Sequence, residues 1–177
     1  VIIPITREDT ADALNAYAEK LGAQLRDMGV RVLVDTSDMR APDKMWKWIK
    51  RGVPLRAEIG AREMDENNIT VTRRDLGKSS KQTLPVDAFI ADVQNMLAQI
   101  QHDMYDAVVR RNKTMIHDVA DLGALESALT AGKIGFFRIK YDLTTNPEFD
   151  GLAEKYKISR RCLDDADPTY VYVAKSY

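Results

Sequence analysis

Apolar and polar positions follow two different periods in the first part of the chain. The opening run "VIIPI", residues 1–5, is apolar throughout, which is typical of a short buried strand. From Leu14 to Met28 apolar residues recur every three or four positions, which predicts an amphipathic helix that ends at Gly29. The apolar run 30–34 then predicts a second strand, and a strand-helix-strand unit of this kind favours a parallel pair.

The next elements are predicted from turn residues and from alternation. A short helix is expected at about 42–51, with a proline in its first turn and Gly52 behind it. Residues 53–59 alternate between apolar and polar, which indicates a strand with one buried face, and 69–76 should pair with it antiparallel across the polar turn 64–68. Two more elements are predicted, an edge strand at 82–84 and a long helix at about 86–115.

Beyond residue 118 the pattern of helices and strands starts again. The predicted elements are a helix at 121–133, a strand at 134–141, a helix at 146–157 and strands at 158–163 and 169–176. We therefore predict an α/β fold of two domains: residues 1–118, a mixed sheet flanked by three helices, and residues 119–177, a small α+β domain. A domain of the second size is near the lower limit at which a chain folds alone.

Composition and charge exclude several classes of protein. The chain is 45% apolar and 30% charged with a net charge of −1, and no run reaches the roughly 18 apolar residues of a membrane span. We expect a soluble, cytoplasmic protein with no membrane partner. Because the chain starts at Val1 with neither an initiator Met nor a signal segment, we interpret it as a fragment of a longer polypeptide.

Positive charge is concentrated in one region. Residues 43–81 contain ten Lys or Arg against six Asp or Glu, a local charge of +4 in a chain whose total is −1. The net charge of the whole chain gives no sign of a nucleic-acid partner, but one region is basic and the rest of the chain compensates for it.

The residues needed for catalysis or metal binding are sparse. The glycines do not form a phosphate-binding pattern, and the two histidines, His102 and His117, lie on or just past the long predicted helix. Cys162 is the single cysteine, which excludes an internal disulfide and makes a zinc site of the Cys/His type improbable. We predict no catalytic residue and no metal ligand in this chain.

The basic region does carry side chains suited to reading bases. Arg56 and Glu58 share the polar face of one predicted strand, and Arg73 on the paired strand is expected to point the same way. An arginine fork matches the O6/N7 edge of guanine, and a carboxylate accepts from guanine N1 and N2. The alternative is a solvated face on which Arg56 and Glu58 pair with cross-strand neighbours, and the residue pattern leaves both interpretations open.

Two tryptophans precede this strand. Trp46 and Trp48 lie on the short predicted helix, where either could stack on an unpaired base. The alternative places Trp48 in the core.

The motifs resemble a known family. "GVPLRAEIGAREM" at 52–64 and "VTRRDLG" at 71–77 resemble the anticodon-binding domain of class II aminoacyl-tRNA synthetases, specifically prolyl-tRNA synthetases of the archaeal/eukaryotic-like type. The terminal "YVAKSY" is similar to the end of that family. The positions that match are Lys44, Trp48, Gly52, Val53, Pro54, Arg56, Glu58, Gly60, Arg62, Arg73, Arg74, Asp75 and Gly77.

The resemblance implies a function and partners. The parent enzyme would ligate proline to tRNA(Pro) with ATP and Mg²⁺, both bound by a catalytic domain that is missing from this fragment, and it would be a homodimer. This fragment would bind the anticodon stem-loop and pack on the N-terminal catalytic domain, with Tyr177 suspected of docking there. The RNA-binding residues implied are Lys44, Trp48, Arg51, Arg56, Glu58, Arg62, Arg73 and Arg74.

The sequence also departs from that family. The second half resembles a C-terminal domain that often binds zinc, but only Cys162 of its cysteines is present, which implies a zinc-free version. Ile49 stands where the family has a glutamate, and Trp46 with Lys47 replaces a polar pair. Two alternatives follow: an accessory or dimerisation module without RNA contact, and the equivalent domain of a histidyl-, threonyl- or glycyl-tRNA synthetase.

Overall fold

The computed structural model describes residues 1–7 and 9–176. The chain divides into two compact units, Val1–Tyr105 and Asp106–Tyr177. The elements of the first unit are β1 (Ile2–Pro4), α1 (Ala11–Asp27), α2 (Ala41–Lys50), β2 (Leu55–Ile59), α3 (Ala61–Asp65), β3 (Asn68–Arg73), β4 (Gln82–Pro85) and α4 (Val86–Thr114). The division between the units falls inside α4, whereas the sequence predicted a boundary after residue 118, where that helix has ended.

The first unit contains the predicted mixed sheet. Its strand order is β1-β2-β3-β4, with β1 parallel to β2 and the other pairs antiparallel. The face that carries Leu55, Ala57 and Val71 packs against α1 and α4. The helix residues in this core are Leu14, Ala18, Leu21 and Leu25 of α1 and Val86, Phe89, Val93 and Ile100 of α4.

The strand predicted at 30–34 is wrong. Within it only Val34 forms a bridge, parallel to Ile2, supported by hydrogen bonds from Ile2 N to Leu33 O and from Asp35 N to Ile2 O, each 2.9 Å. The next donor that a parallel ladder would need is the backbone N of Pro4, and proline has no N–H. The pairing therefore stops after one bridge, and Leu33 remains 51% exposed.

A short helix, α3, lies between β2 and β3, before the turn that was predicted there. Glu63 reaches back to accept from Gly60 N at 3.0 Å, so the helix begins at a capped residue. The sequence pattern missed α3 because five residues are too few to show a helical period.

The second unit is a smaller α+β arrangement. Its elements are the C-terminal end of α4, then β5 (Ile116–Asp118), α5 (Leu122–Thr130), β6 (Phe136–Lys140), α6 (Pro147–Tyr156), β7 (Ile158–Leu163) and β8 (Tyr170–Lys175). The strand order is β5-β6-β8-β7, and only β5 pairs in parallel. Leu125 of α5 and Phe149 of α6 pack on Phe137 and Ile139 of the sheet. The sequence missed β5, and Cys162 is exposed on the edge strand β7.

None of the helices in the described residues combines the length and the apolarity needed to cross a lipid bilayer.

Candidate nucleic-acid interface

One face of the first sheet gathers polar side chains from three strands. In the β2–β3 register Arg56 lies opposite Thr72 and Glu58 lies opposite Thr70, and Thr70 in turn lies opposite Thr83 of β4. Residues directly opposite in an antiparallel pair share a face, so these side chains lie together on the side away from α1 and α4. We call these side chains the threonine face, which consists of Arg56, Glu58, Thr70, Thr72, Lys81 and Thr83. Glu58, Thr70 and Thr72 are buried, Arg56 is half-buried, and Lys81 and Thr83 are exposed.

Arg56 has an unused donor at the centre of the threonine face. Its Nε is buried, and no hydrogen-bond partner for it exists among the described residues. A buried donor without a partner costs about 1–3 kcal/mol, and a bound acceptor can recover that cost. Arg56 as a whole is half-buried, and the fork geometry of its guanidinium matches a planar acceptor such as the O6/N7 edge of guanine.

Glu58 is the acceptor of this face. It is only 7% exposed, and its Oε2 accepts from Lys81 Nζ at 3.0 Å. The Lys81 side chain is 55% exposed, so it can leave the carboxylate for solvent or a phosphate. The hydroxyls of Thr70 and Thr83 bond to each other at 2.7 Å beside it. Sequence reasoning missed Lys81 because its partner is set by strand register rather than by chain spacing.

Arg73 does not share this face, and the sequence expectation that it points the same way as Arg56 is wrong. Arg73 lies opposite Leu55, and side chains alternate along a strand, so it projects toward α4. There it forms ion pairs with Asp75 at 2.6 Å and with Asp103 of α4 at 2.5 Å. Hydrogen bonds from Arg73 lower the pKa of both aspartates, and the pKa of Arg73 is raised in turn.

A second polar group is buried beside α2. Asp35 is 4% exposed, and its carboxylate accepts from Ser37 N and Oγ, from Lys47 Nζ at 3.0 Å and from Trp48 Nε1 at 2.5 Å. Lys44 Nζ donates to the backbone O of Asp35 at 3.1 Å. Burial acts to raise the pKa of Asp35, but the hydrogen bonds from Ser37, Lys47 and Trp48 outweigh it and hold that pKa well below its usual value. We call these five residues the Asp35 cluster.

The Asp35 cluster contains two of the residues predicted to bind RNA. Lys44 is 2% exposed and Trp48 is 5% exposed, so their polar atoms serve the interior of the first unit. Arg51 is exposed, and its guanidinium lies 5.1 Å from the centre of the Trp48 ring. The sequence carries no signal for this cluster. Asp35 lies just after the predicted strand 30–34 and is 13 residues from Trp48, so no local pattern links the two.

The other predicted residues lie nearer to solvent. The Arg62 side chain is 82% exposed on α3 and pairs with Glu66 at 2.9 Å, and that hydrogen bond raises the pKa of Arg62 and lowers that of Glu66. Arg74 Nη1 donates to Gly52 O at 3.2 Å and packs on the turn between α2 and β2. Tyr177, suspected of docking on another domain, lies outside the described residues.

No group of three or more His, Cys, Asp or Glu side chains in residues 1–7 and 9–176 is placed to hold a metal ion.

The comparisons with known proteins agree with this geometry. A family model described as an anticodon binding domain matches residues 1–96, more than half of the chain. The chain belongs to the anticodon-binding domain family. The expected resemblance and the expected fold class are both confirmed.

Curated relatives of this anticodon-binding chain are proline–tRNA ligases. That of Akkermansia muciniphila is 30% identical over 92% of this chain and 33% of its own length. That of Bdellovibrio bacteriovorus is 34% identical over 75% of this chain and 28% of its own length. The chain therefore spans about a third of the length of the relatives it matches.

A solved prolyl-tRNA synthetase from Giardia lamblia, in complex with prolyl-adenylate, has the same fold as this chain. The TM-score is 0.80 at 21% sequence identity, over 99% of this chain and 42% of that one. At this identity the likeness concerns the fold.

Proposed function

We propose that this chain is the anticodon-reading portion of a proline–tRNA ligase. Its relatives carry that name, and the chain covers about a third of their length. The remaining length would bind ATP and Mg²⁺ and join proline to tRNA(Pro) in the same polypeptide. A cytoplasmic homodimer is part of the same proposal.

The observation that carries this proposal is the unused donor of Arg56 on the threonine face. Its guanidinium donates to O6 and N7 of a guanine from an unstacked anticodon. Glu58 follows two residues later on the same face, about 6–7 Å along the strand, and accepts from the N1–H or N2–H of a guanine. When a base takes this position, Lys81 releases Glu58 and pairs with a phosphate.

Cations around this face supply the rest of the affinity. Arg51 is exposed where α2 ends, and Arg62 is exposed on α3 just after β2. Each contact with a single-stranded phosphate makes the affinity depend on salt by about 0.7 of a log unit per log of salt. These contacts orient the RNA, while Arg56 and Glu58 supply the sequence preference.

The test is binding of the 177-residue chain to an anticodon stem-loop of tRNA(Pro), measured by filter retention. We expect Arg56→Ala to weaken binding by about 1–3 kcal/mol and to reduce the preference over a stem-loop with altered guanines. Lys140→Ala is the matched control, because Lys140 is an exposed cation on β6 of the second unit.

Two results would contradict the proposal. Wild-type affinity of Arg56→Ala removes the assignment of Arg56. Equal binding to both stem-loops, or no binding, supports an accessory or dimerisation module instead.

A further inference from the structure

The two tryptophans of α2 differ in their surroundings. Trp46 is 61% exposed, whereas Trp48 is 5% exposed and belongs to the Asp35 cluster. Residues two apart on an α-helix project about 200° from each other, so the two indoles leave opposite sides of α2. Trp48 faces the interior, and Trp46 presents its ring to solvent.

The surface around Trp46 is both apolar and cationic. Ile49 is 42% exposed and Lys50 is exposed, and both lie on the same side of α2 as Trp46 at spacings of three and four residues. The acidic residue of the first turn, Asp43, is paired with Arg40 at 3.0 Å. We call Trp46, Ile49 and Lys50 the outer α2 surface; Asp43, one turn before Trp46 on the same side, is the acidic residue next to it.

The backbone of helix α2, from which Trp46 projects, is anchored on its inner side. Its inner side is tied to Asp35 through Trp48, Lys47 and Lys44. Its C-terminal turn is contacted by Arg74, which donates to Gly52 O. A ring presented on such an anchored helix loses little conformational entropy when a ligand stacks on it.

We infer that Trp46 stacks on an unpaired base of the RNA whose guanines contact the threonine face. This inference rests on the proposed function and adds a residue that the family pattern does not supply, since Trp46 replaces a polar residue there. The positive charge of residues 43–81 and Lys50 beside the ring match a phosphate backbone, and every base has a π-face for the indole.

The chain connection limits the distance between the two contacts. From Trp46 to Arg51 the helix rises about 7–8 Å, and five extended residues from Arg51 to Arg56 add at most about 17 Å. Trp46 and Arg56 are therefore at most about 25 Å apart along this path, and one single-stranded loop of several nucleotides can reach both.

Fluorescence distinguishes the two indoles. In the wild-type chain, titration with the tRNA(Pro) anticodon stem-loop should quench the emission of the exposed Trp46. In Trp46→Phe the remaining tryptophan is the buried Trp48, so the same titration should change the emission little. Filter retention in the same buffer gives the affinities.

The variants separate the loss of base stacking from the loss of apolar contact area. We expect Trp46→Ala and Trp46→Leu to bind about 5- to 150-fold more weakly, while Trp46→Phe keeps a ring and loses less than either. The thermal midpoints should match that of the wild type, because Trp46 is largely exposed.

Each other outcome overturns the inference. If Trp46→Ala binds like the wild type while Arg56→Ala does not, Trp46 has no stacking role and the proposed function stands. If the wild type fails to bind the stem-loop, both fail. If Trp46→Ala leaves RNA affinity unchanged but abolishes self-association in sedimentation, the outer α2 surface contacts protein instead of RNA.

Discussion

The Asp35 cluster and the threonine face combine the same kinds of residue, a buried carboxylate with cations near it, yet they use them differently. In the Asp35 cluster the carboxylate accepts from Ser37, Lys47 and Trp48. On the threonine face Glu58 accepts from one exposed lysine, and Arg56 keeps a buried donor without a partner in the described chain.

This difference separates structural from functional charge. A buried carboxylate whose donors all come from the protein contributes to the folded state and offers nothing to a ligand. A buried donor that the protein does not satisfy is a cost to the fold, and a ligand can recover it. The two kinds of buried group differ in whether the protein supplies their hydrogen-bond partners, and not in the type of residue.

The largest expected effect comes from removing the centre of the Asp35 cluster. Asp35→Ala leaves the indole N–H of Trp48 and the ammonium of Lys47 without their acceptor. The free energy of unfolding should fall by about 3–5 kcal/mol, as for other buried pairs that lose one member, and urea denaturation measures it. Ser37→Ala is the control and should cost about 1 kcal/mol. If the wild type and Asp35→Ala had equal free energies of unfolding, the Asp35 cluster would not have the structural role assigned to it.

The threonine face should respond in the opposite way. Arg56→Met removes a buried donor that has no partner among the described residues, so the free energy of unfolding should not fall and should rise by up to about 1–3 kcal/mol. Binding of the anticodon stem-loop should still weaken by about 1–3 kcal/mol. A strong loss of stability with unchanged binding would reverse the roles of the two regions.

Arg73 tests the same distinction on the other face of the sheet. Arg73→Ala releases two aspartates and unties β3 from α4, so we expect a loss of about 1–3 kcal/mol of stability. RNA affinity should change far less than in Arg56→Ala, because the guanidinium points away from the threonine face. Parallel urea and filter-retention series on the two variants provide the comparison.

Acid should lower the stability of the fold by protonating three carboxylates that accept hydrogen bonds in the folded chain. The pKa values of Asp35, Asp75 and Asp103 are lowered in the folded chain, so these groups stabilise it above their unfolded pKa of about 4, and that contribution is lost as pH falls through the lowered values. Thermal midpoints should therefore decline below about pH 4. Asp35→Asn should show a shallower decline, and an unchanged slope would exclude Asp35 as a source.

The smallest effect on stability is expected at Arg62. Its pair with Glu66 is largely exposed, and water screens such a pair so strongly that it contributes little to stability. Arg62→Ala should leave the urea midpoint almost unchanged, and its loss of RNA affinity should shrink at high salt. A salt-independent loss would indicate a base contact instead.

Much of the fold could be predicted because it depends on period and turn chemistry. The long helix α4, the alternation of β2 and the stop at Gly52, whose φ is +70°, all follow from local pattern. The strand at 30–34 could not be excluded from its apolar run, because its failure depends on which backbone groups β1 offers. The five-residue helix α3 and the three-residue strand β5 are too short to carry a periodic signal.

The candidate site was predictable in part. Alternation along one strand placed Arg56 and Glu58 together, as the register confirms. It could not predict the face on which Arg73 lies. Which residues are opposite each other on two strands depends on the strand register, and the sequence of either strand alone does not give that register. It also could not predict that Trp48 is buried and Trp46 exposed, because both fit a helix. The burial of Trp48 depends on Asp35, which is 13 residues from it in the chain.

The register of β2 and β3 puts Arg56 and Arg73 on opposite sides of one sheet. In the described part of the chain the two guanidinium groups share no partner, so a double-mutant cycle should give only a small coupling between their substitutions although their strands are adjacent. If the Arg56 side reads bases as proposed, a lineage can change which bases are read there without weakening the ion pair that joins β3 to α4. Decoding preference and foldability are then free to evolve separately within neighbouring strands.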